Sequence, residues 1–274
     1  MIPARFDYEV AGSVDEAVEL LGSRDDAKLL AGGHSLLPLM KLRFARPELI
    51  VDIGRLSDLS YVRDDGDRVA IGALTRHHDV ANAGALQASC GLVSHTAGLI
   101  GDPQVRHRGT IGGSVAHGDP ASDLPAVLLA LDAELVVRGP GGERTVAAGD
   151  FFQGLFQTAL GEQDVLTEIR VPKLDGAGWA YEKFTRRAQD WATVGASVVR
   201  RNGSARVALT NMGSTPVRAS AVEEALASGS DAAAAAERAG EGTSPPSDTF
   251  GSAEYRKHLA SVLVRRALEA VTPG

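Results

Sequence analysis

The chain has 274 residues, and its 28 Lys and Arg against 35 Asp and Glu leave a formal net charge of −7 at pH 7. This acidic balance argues against nucleic acid or an anionic membrane surface as the main partner, and no apolar run approaches the roughly 18 residues of a membrane span. The single cysteine, Cys90, excludes thiolate-bound zinc sites, iron–sulfur clusters and disulfides formed by this chain alone. The first residues lack the apolar stretch of a signal peptide, so we expect a cytoplasmic protein without a membrane span.

The first part of the chain alternates helix and strand patterns. Apolar residues spaced among acids over 15–21 predict an amphipathic helix. A short apolar strand over 27–31 leads into a glycine pair at 32–33, which is followed by a helix over 35–43. A strand over 49–53 completes a unit with the period of a βαβ motif.

The middle of the chain is predicted to mix strands with a run of helices. In chain order we expect a strand over 68–73, a short helix over 75–81, a longer helical stretch over 86–99, a strand-and-glycine element over 109–116, an apolar helix over 122–131, a hairpin with strands at 134–137 and 143–147, and a strand over 165–171.

From about residue 176 the pattern changes to consecutive strands followed by helices. Three β-like runs cover 180–186, 193–200 and 205–211, and helical patterns cover 219–226 and 253–270. This order is typical of a small α+β domain.

Two glycine pairs share one local pattern, an apolar run followed by two glycines and a small hydroxyl residue. They are Gly32-Gly33 and Gly112-Gly113. Glycine permits positive φ, and successive backbone N–H groups in such a turn form a concavity that binds anions. One hypothesis is therefore a pyrophosphate held from two sides, and the other is a pair of tight turns without a ligand. Neither a Gly-x-Gly-x-x-Gly fingerprint between strand and helix nor a P-loop is present.

Four stretches carry a resemblance to a known family. They read Ala-Gly-Gly-His-Ser-Leu-Leu-Pro-Leu-Met-Lys-Leu-Arg over 31–43, Thr-Ile-Gly-Gly-Ser over 110–114, Asp-Pro-Ala-Ser-Asp-Leu-Pro over 119–125 and Tyr-Glu-Lys-Phe-Thr-Arg-Arg over 181–187. They closely resemble the FAD-binding medium subunits of molybdenum hydroxylases, of the carbon monoxide dehydrogenase type, with the xanthine dehydrogenase FAD-binding subunit more distant. The resemblance extends over nearly the whole chain.

The resemblance implies an α+β fold of two domains. Residues 1–175 would form a PCMH-type, vanillyl-alcohol-oxidase-like FAD-binding domain, divided into subdomains at about 1–57 and 58–175 with FAD between them. Residues 176–274 would form the C-terminal domain of carbon monoxide dehydrogenase flavoproteins, with a three-stranded sheet and helices.

The resemblance also implies roles for individual residues. A first loop, residues 32–36, would wrap the FAD pyrophosphate through its backbone N–H groups, and a second loop, residues 110–114, would approach from the opposite side. Asp123 would accept hydrogen bonds from cofactor hydroxyls, and Lys183 would lie near the isoalloxazine ring, where a cation stabilises the anionic reduced flavin; a helix cap and a solvated strand residue are the respective alternatives. The implied contacts are Ala31, Gly32, Gly33, His34, Ser35, Leu36, Ile100, Gly101, Val105, Thr110, Ile111, Gly112, Gly113, Ser114, Asp123, Leu166 (or its neighbour Thr167) and Lys183.

The function implied by the resemblance is electron transfer, without catalytic residues or a metal site in this chain. A large subunit would hold a molybdenum cofactor, a small subunit would relay electrons through [2Fe–2S] clusters, and FAD on this chain would pass them to a small-molecule acceptor. One alternative is a stand-alone FAD-dependent oxidase or dehydrogenase acting on a small organic substrate, with His107 and Tyr181 as candidate proton-transfer residues. Another is an FAD-retaining subunit that serves assembly alone.

Overall fold

The computed structural model describes residues 1–271 and begins with a small parallel sheet. Its elements are β1 (Asp7–Val10), α1 (Val14–Gly22), β2 (Ala27–Leu30), α2 (Leu36–Lys41) and β3 (Leu49–Asp52). The strand order is β1-β3-β2, with both pairs parallel. The N-cap Ser13 accepts a hydrogen bond from the Glu16 N–H at 3.1 Å, and α1 buries its apolar face against the sheet.

A five-stranded antiparallel sheet and a layer of short helices follow. The elements are β4 (Val62–Asp65), β5 (Arg68–Gly72), α3 (His77–Asn82), α4 (Gly84–Ser89), α5 (Gly91–Gly98), α6 (Pro103–Arg108), α7 (Ile111–His117), α8 (Asp123–Ala130), β6 (Glu134–Gly139), β7 (Gly142–Ala147), α9 (Ala148–Phe151), β8 (Phe152–Gly154), β9 (Gln157–Thr158) and β10 (Val165–Pro172). The sheet order is β4-β5-β10-β6-β7, while β8 and β9 form a separate ribbon. The helices cover this sheet and enclose the largest apolar core of the described chain.

The helical stretch predicted over 86–99 is two helices, α4 and α5. They meet at Cys90, whose φ of −147° and ψ of 61° interrupt the helical path. Cys90 is fully buried, and a Cβ at the next residue, Gly91, would lie 2.5 Å from the Trp179 ring. Close contact with Trp179 therefore requires glycine at the start of α5.

The C-terminal part forms an antiparallel sheet covered by helices. Its elements are β11 (Gly178–Phe184), β12 (Val194–Arg201), β13 (Ser204–Thr210), β14 (Val217–Arg218), α10 (Ser220–Ala227), α11 (Ala232–Ala236) and α12 (Ala253–Ala270). The sheet has four strands in the order β11-β12-β13-β14, one more than predicted, because the two-residue β14 is too short to show a strand pattern. Residues 272–274 of the predicted domain lie outside the described residues.

The two parts are joined through α8. This helix packs against β12 and β13, and Tyr181 and Val199 from the C-terminal sheet belong to the core of the preceding part. Arg218 reaches Asp132 Oδ1 at 2.9 Å, and the Asn211 N–H donates to the Pro120 carbonyl at 2.8 Å. In residues 1–271, no helix is both long enough and apolar enough to cross a bilayer.

Candidate cofactor-binding site

A cavity of about 580 Å³ is lined by residues from the parallel sheet, the five-stranded sheet and the C-terminal sheet. Its wall combines the end of β2 and the first loop, the α5–α8 region, β10, and β11 with the loop that follows it. The volume is in the range typical of cofactor pockets. All the contacts implied by the resemblance line this cavity, with one exception.

The exception is Ile111. Its side chain is fully buried in the core, and its N–H donates to the Thr75 carbonyl at 3.0 Å, so neither group faces the cavity. Ile111 was predicted as a cofactor contact; its side chain lies in the core beneath α7, beside the cavity, and its contact with FAD stays a prediction. The sequence around Ile111 does not show whether its side chain faces the core or the cavity, because an apolar residue suits either position.

The first loop presents its backbone N–H groups to the cavity. Among residues 1–271, no acceptor is found for the N–H groups of residues 32–36, although all five residues line the cavity. Gly33 has a φ of 79°, the left-handed conformation expected of such a turn. A Cβ at Gly32 would overlap the Arg108 carbonyl, so this loop lies directly against the start of the second glycine segment. Successive unpaired N–H groups in a concave turn bind anions.

The second loop differs from the prediction of a strand and a glycine turn. Thr110 is the N-cap of α7, and both glycines of the pair lie in its first turn with ordinary negative φ. The Gly112 N–H donates to the Ala73 carbonyl at 2.9 Å, the Gly113 N–H to Thr110 Oγ1 at 3.1 Å and the Ser114 N–H to the Thr110 carbonyl at 3.1 Å. The N–H groups of these three residues are therefore engaged within the protein, whereas the Thr110 N–H has no acceptor among residues 1–271 and lies in the cavity wall. The approach of this loop to the phosphates stays a prediction.

The glycine pair of α7 serves close packing. A Cβ at Gly112 would lie 2.5 Å from the Ala73 Cβ and 2.6 Å from its carbonyl oxygen. A Cβ at Gly113 would lie 2.7 Å from Thr110 Oγ1. Glycine is thus required at 112 because α7 lies against the end of β5, and at 113 because of the Thr110 cap. Thr110, Gly113 and Ser114 form part of the cavity wall.

Asp123 and Lys183 form a buried ion pair at the joint between the two parts. Lys183 Nζ lies 2.8 Å from Asp123 Oδ2, and the exposed fractions of the two side chains are 8% and 6%. The Tyr181 hydroxyl donates to Asp123 Oδ1 at 2.7 Å. Burial raises the pKa of the Asp123 carboxyl, and Lys183 and Tyr181 oppose that change because they stabilise the carboxylate. Asp123 is thus not a helix cap, and Lys183 is not a solvated strand residue.

The remaining predicted contacts lie on turns and on the central strand. Gly101 has a φ of 45° before α6, which Asp102 caps by accepting from the Val105 N–H at 2.9 Å. Leu166 on β10 is 5% exposed and faces the cavity, whereas the Thr167 hydroxyl donates to the Val136 carbonyl at 3.1 Å. Of these two neighbours, Leu166 is therefore the cavity residue.

Several wall residues were not predicted from the sequence. They include His77, Asp102, His117, Ser122, Asp164 and Trp191. Trp191 is 57% exposed on the loop after β11. All of them except Ser122, which lies in the motif over 119–125, are outside the family motifs, and the packing of distant segments brings them to one cavity.

The two residues considered for proton transfer in a stand-alone oxidase are not placed for it. His107 is exposed, stacks on the His78 ring with centroids 4.0 Å apart, and does not line the cavity. The Tyr181 hydroxyl is buried against Asp123, and burial raises its pKa well above the usual value of 10. Neither group has the cavity access that a general base requires.

Comparisons with known proteins cover almost the whole chain. Residues 4–174 match the family model for the FAD binding domain in molybdopterin dehydrogenase, and residues 179–271 match that for the CO dehydrogenase flavoprotein C-terminal domain. The carbon monoxide dehydrogenase medium chain of Hydrogenophaga pseudoflava is 47% identical, with 98% of both chains covered. The glyceraldehyde dehydrogenase medium chain of Sulfolobus acidocaldarius is 38% identical, with 99% of this chain and 100% of the relative covered.

A solved structure shows the same architecture. It is carbon monoxide dehydrogenase from Hydrogenophaga pseudoflava lacking the Mo-pyranopterin moiety of the molybdenum cofactor, with a TM-score of 0.95, 49% identity and 98% of both chains covered. The predicted fold class and cofactor are confirmed, and the row of unpaired N–H groups in the first loop suits the anionic pyrophosphate of FAD. The chain belongs to the FAD-binding medium subunits of molybdenum hydroxylases, a family of oxidoreductase subunits.

Proposed function

We propose that this chain transfers electrons between iron–sulfur clusters of a small partner subunit and an external small-molecule acceptor. A large partner subunit would hold the molybdenum cofactor at which substrate is hydroxylated. The chain has one cysteine, which is buried, so the clusters of such a relay must belong to another chain. Bound FAD supplies the redox chemistry, and the protein contributes its position and electrostatic surroundings.

The observation that carries the proposal is the run of five unpaired backbone N–H groups at residues 32–36 in a cavity of about 580 Å³. We assign the FAD pyrophosphate to these groups. Thr110, Gly113 and Ser114 would limit the cavity beside it, and the N–H groups of Gly113 and Ser114 are already engaged within the protein.

The other end of the cavity suits the flavin. Apart from the first loop, Ile100, Val105 and Leu166 supply apolar lining, and the Asp123–Lys183 pair supplies charge. Lys183 also donates to the Leu99 carbonyl at 3.3 Å, which ties the apolar turn before α6 to the ion pair. We assign the isoalloxazine ring to this end.

The domain limits are part of the same proposal. A first subdomain of about 1–57 would contain the parallel sheet, a second of 58–175 the five-stranded sheet, and the C-terminal domain would begin at 176. The first loop then belongs to one subdomain, and α5–α7 to the other, so the cofactor would lie between them.

Purification from the native host tests the partners. We expect this chain to co-elute with two others, and the complex to contain molybdenum, iron and FAD. Isolation of a yellow single chain whose flavin is reduced directly by a small organic substrate, without molybdenum or iron, would contradict the proposal.

A variant that loses FAD distinguishes a function in electron transfer from a role in assembly alone. Gly32→Val would force the first loop away from the Arg108 carbonyl, so we expect a complex that keeps molybdenum and iron but not FAD. Substrate should still reduce its iron–sulfur clusters, while reduction of NAD, quinone and oxygen should all be lost. Gly149→Val is the matched control, because no atom of residues 1–271 beyond its chain neighbours lies within 4 Å of its Cβ position. Unchanged acceptor reduction in the FAD-free complex would show that this chain serves assembly only.

A further inference from the structure

His77 is a buried histidine in the wall of the cofactor cavity. It is the first residue of α3, and its backbone N–H donates to the Gly109 carbonyl at 3.0 Å. Its exposed fraction is 3%, and the residue lines the cavity together with His34 of the first loop. None of the family motifs contains it.

Neither ring nitrogen of His77 has a hydrogen-bond partner within the described part of the chain. Nδ1 is sealed from solvent, whereas Nε2 keeps some accessible surface. A buried N–H group without an acceptor is rarer in proteins than a buried acceptor without a donor. Nδ1 is therefore the unprotonated nitrogen of the neutral ring, and the proton is on Nε2. The imidazole N–H then lies on the side of the ring that keeps accessible surface, and His77 is part of the cavity wall.

The surroundings of the ring favour the neutral form. Burial is the main cause, and positive charge at His34, Arg106 and Arg76 adds to it, so that the pKa of His77 falls from 6.5 to about 4. The imidazole therefore offers a single donor at neutral pH and adds no charge to the site. Gly109 makes room for it, because a Cβ there would lie 2.9 Å from the ring Cδ2 and 3.2 Å from Nε2.

We infer that His77 donates a hydrogen bond from Nε2 to a phosphate oxygen of the FAD that the first loop holds. The inference rests on the proposed function, since it adds a side-chain donor to the five backbone donors of residues 32–36. It also explains why a polar ring with two unpartnered nitrogens is retained at a nearly sealed position, where an unpaired polar group costs stability.

The test measures cofactor affinity on the full-length chain after removal of flavin. His77→Phe keeps an aromatic ring without a donor, His77→Gln restores an N–H, and His78→Phe is the matched control on the same helix outside this cavity. Titrations with FAD and with riboflavin, which lacks phosphate, are followed by flavin fluorescence, and circular dichroism checks the fold.

If His77 donates a hydrogen bond to a charged phosphate oxygen, His77→Phe should raise the Kd for FAD at least about tenfold. The Kd for riboflavin should change less than twofold, His77→Gln should recover most of the lost affinity, and His78→Phe should bind both as the wild type does. The inference is wrong if His77→Phe binds FAD like the wild type, if riboflavin is affected equally, or if Gln is no better than Phe. Failure of the wild-type chain to bind FAD would instead contradict the proposed function.

A spectroscopic readout covers the case in which His77→Phe does not fold. In the wild-type chain labelled with ¹⁵N-histidine, the His77 signal should show the Nε2–H tautomer, and adding FAD should shift Nε2 more than Nδ1. An Nδ1–H tautomer, or a spectrum unchanged by FAD, would overturn the inference.

Discussion

At the scale of single residues, the Asp123–Lys183 pair is a buried ion pair in the wall of the cavity, at the end that we assign to the flavin. Lys183 is not a free cation, because its ammonium lies 2.8 Å from a carboxylate that is also held by Tyr181. Its stabilisation of an anionic reduced flavin would therefore be that of an oriented ion pair, which is weaker than that of an unpaired lysine. The role of Lys183 beside the flavin stays a prediction with this modification.

Breaking this pair should strongly destabilise the fold. Lys183→Met leaves the Asp123 carboxylate buried without its cation, so we expect the free energy of unfolding at pH 7 to fall by about 3–5 kcal/mol. The loss should shrink at low pH, because burial raises the pKa of Asp123 and its neutral form is tolerated below that value. Urea unfolding of flavin-free protein at pH 7 and pH 5 measures both effects.

Arg265→Met provides the comparison for a surface pair. Arg265 and Glu269 are 58% and 54% exposed, so the free energy of unfolding should change by less than about 1 kcal/mol. Equal losses in the two variants would contradict the view that burial of the Asp123–Lys183 pair sets the effect.

The low pKa of His77 leads to a second prediction, about the stability of the fold at acid pH. Its pKa lies at about 4 in the folded chain and near 6.5 when unfolded, so the unfolded state binds more protons between these values. Above about pH 6.5 His77 is neutral in both states and does not affect the pH dependence of the free energy of unfolding. As the pH falls from 6.5 towards 4, protonation of the unfolded state lowers that free energy by roughly 3 kcal/mol in total. Urea unfolding of flavin-free protein from pH 7.5 to pH 4 should show a steeper loss in wild type than in His77→Gln. If the free energies of unfolding of the two proteins fell in parallel with pH, this prediction would be contradicted.

At the scale of elements, the two glycine pairs share a sequence pattern but not a structure. The pair at 32–33 lies in an open turn with free N–H groups, while the pair at 112–113 lies inside the first turn of α7. An apolar run before a glycine pair and a small hydroxyl residue soon after it are compatible with either state. The difference is decided by the neighbouring strand end at Ala73, whose carbonyl accepts the Gly112 N–H.

Gly112 therefore matters for packing. Gly112→Ala would place a methyl group 2.5 Å from the Ala73 Cβ, and we expect a loss of about 1–3 kcal/mol in the free energy of unfolding. The exposed Gly149→Ala has open space at its Cβ position and should change stability by at most about 1 kcal/mol. Both are measured by urea unfolding without FAD. Similar stability of the two variants would show that α7 moves away from β5 easily.

At the scale of the whole molecule, the C-terminal sheet completes both the core and the cavity of the preceding part. Tyr181 and Val199 pack into the core around α8, and Lys183 and Trp191 line the cavity. The two parts share one continuous apolar interior, although each also has a core of its own. Loss of one part would expose apolar surface on the other.

We expect the two parts to unfold together. Both tryptophans, Trp179 and Trp191, lie in the C-terminal part, so their fluorescence reports on it, while far-ultraviolet circular dichroism reports on all elements. In urea, the two signals should give coincident transitions in the flavin-free chain. A fluorescence transition that precedes or follows the circular dichroism transition would mean that the parts are energetically independent.

The sequence by itself determined the family, the α+β class, the cofactor and most of the cavity wall, because these depend on motifs that are continuous along the chain. The first loop is the clearest case, since adjacent residues build the row of N–H groups. Only the tertiary structure decided the pairing of Asp123 with Lys183, 60 residues apart, the engagement of the α7 N–H groups and the place of His77 in the wall. Hydrogen-bond partners and burial are set by which distant segments pack together, and the local sequence does not show which segments these are.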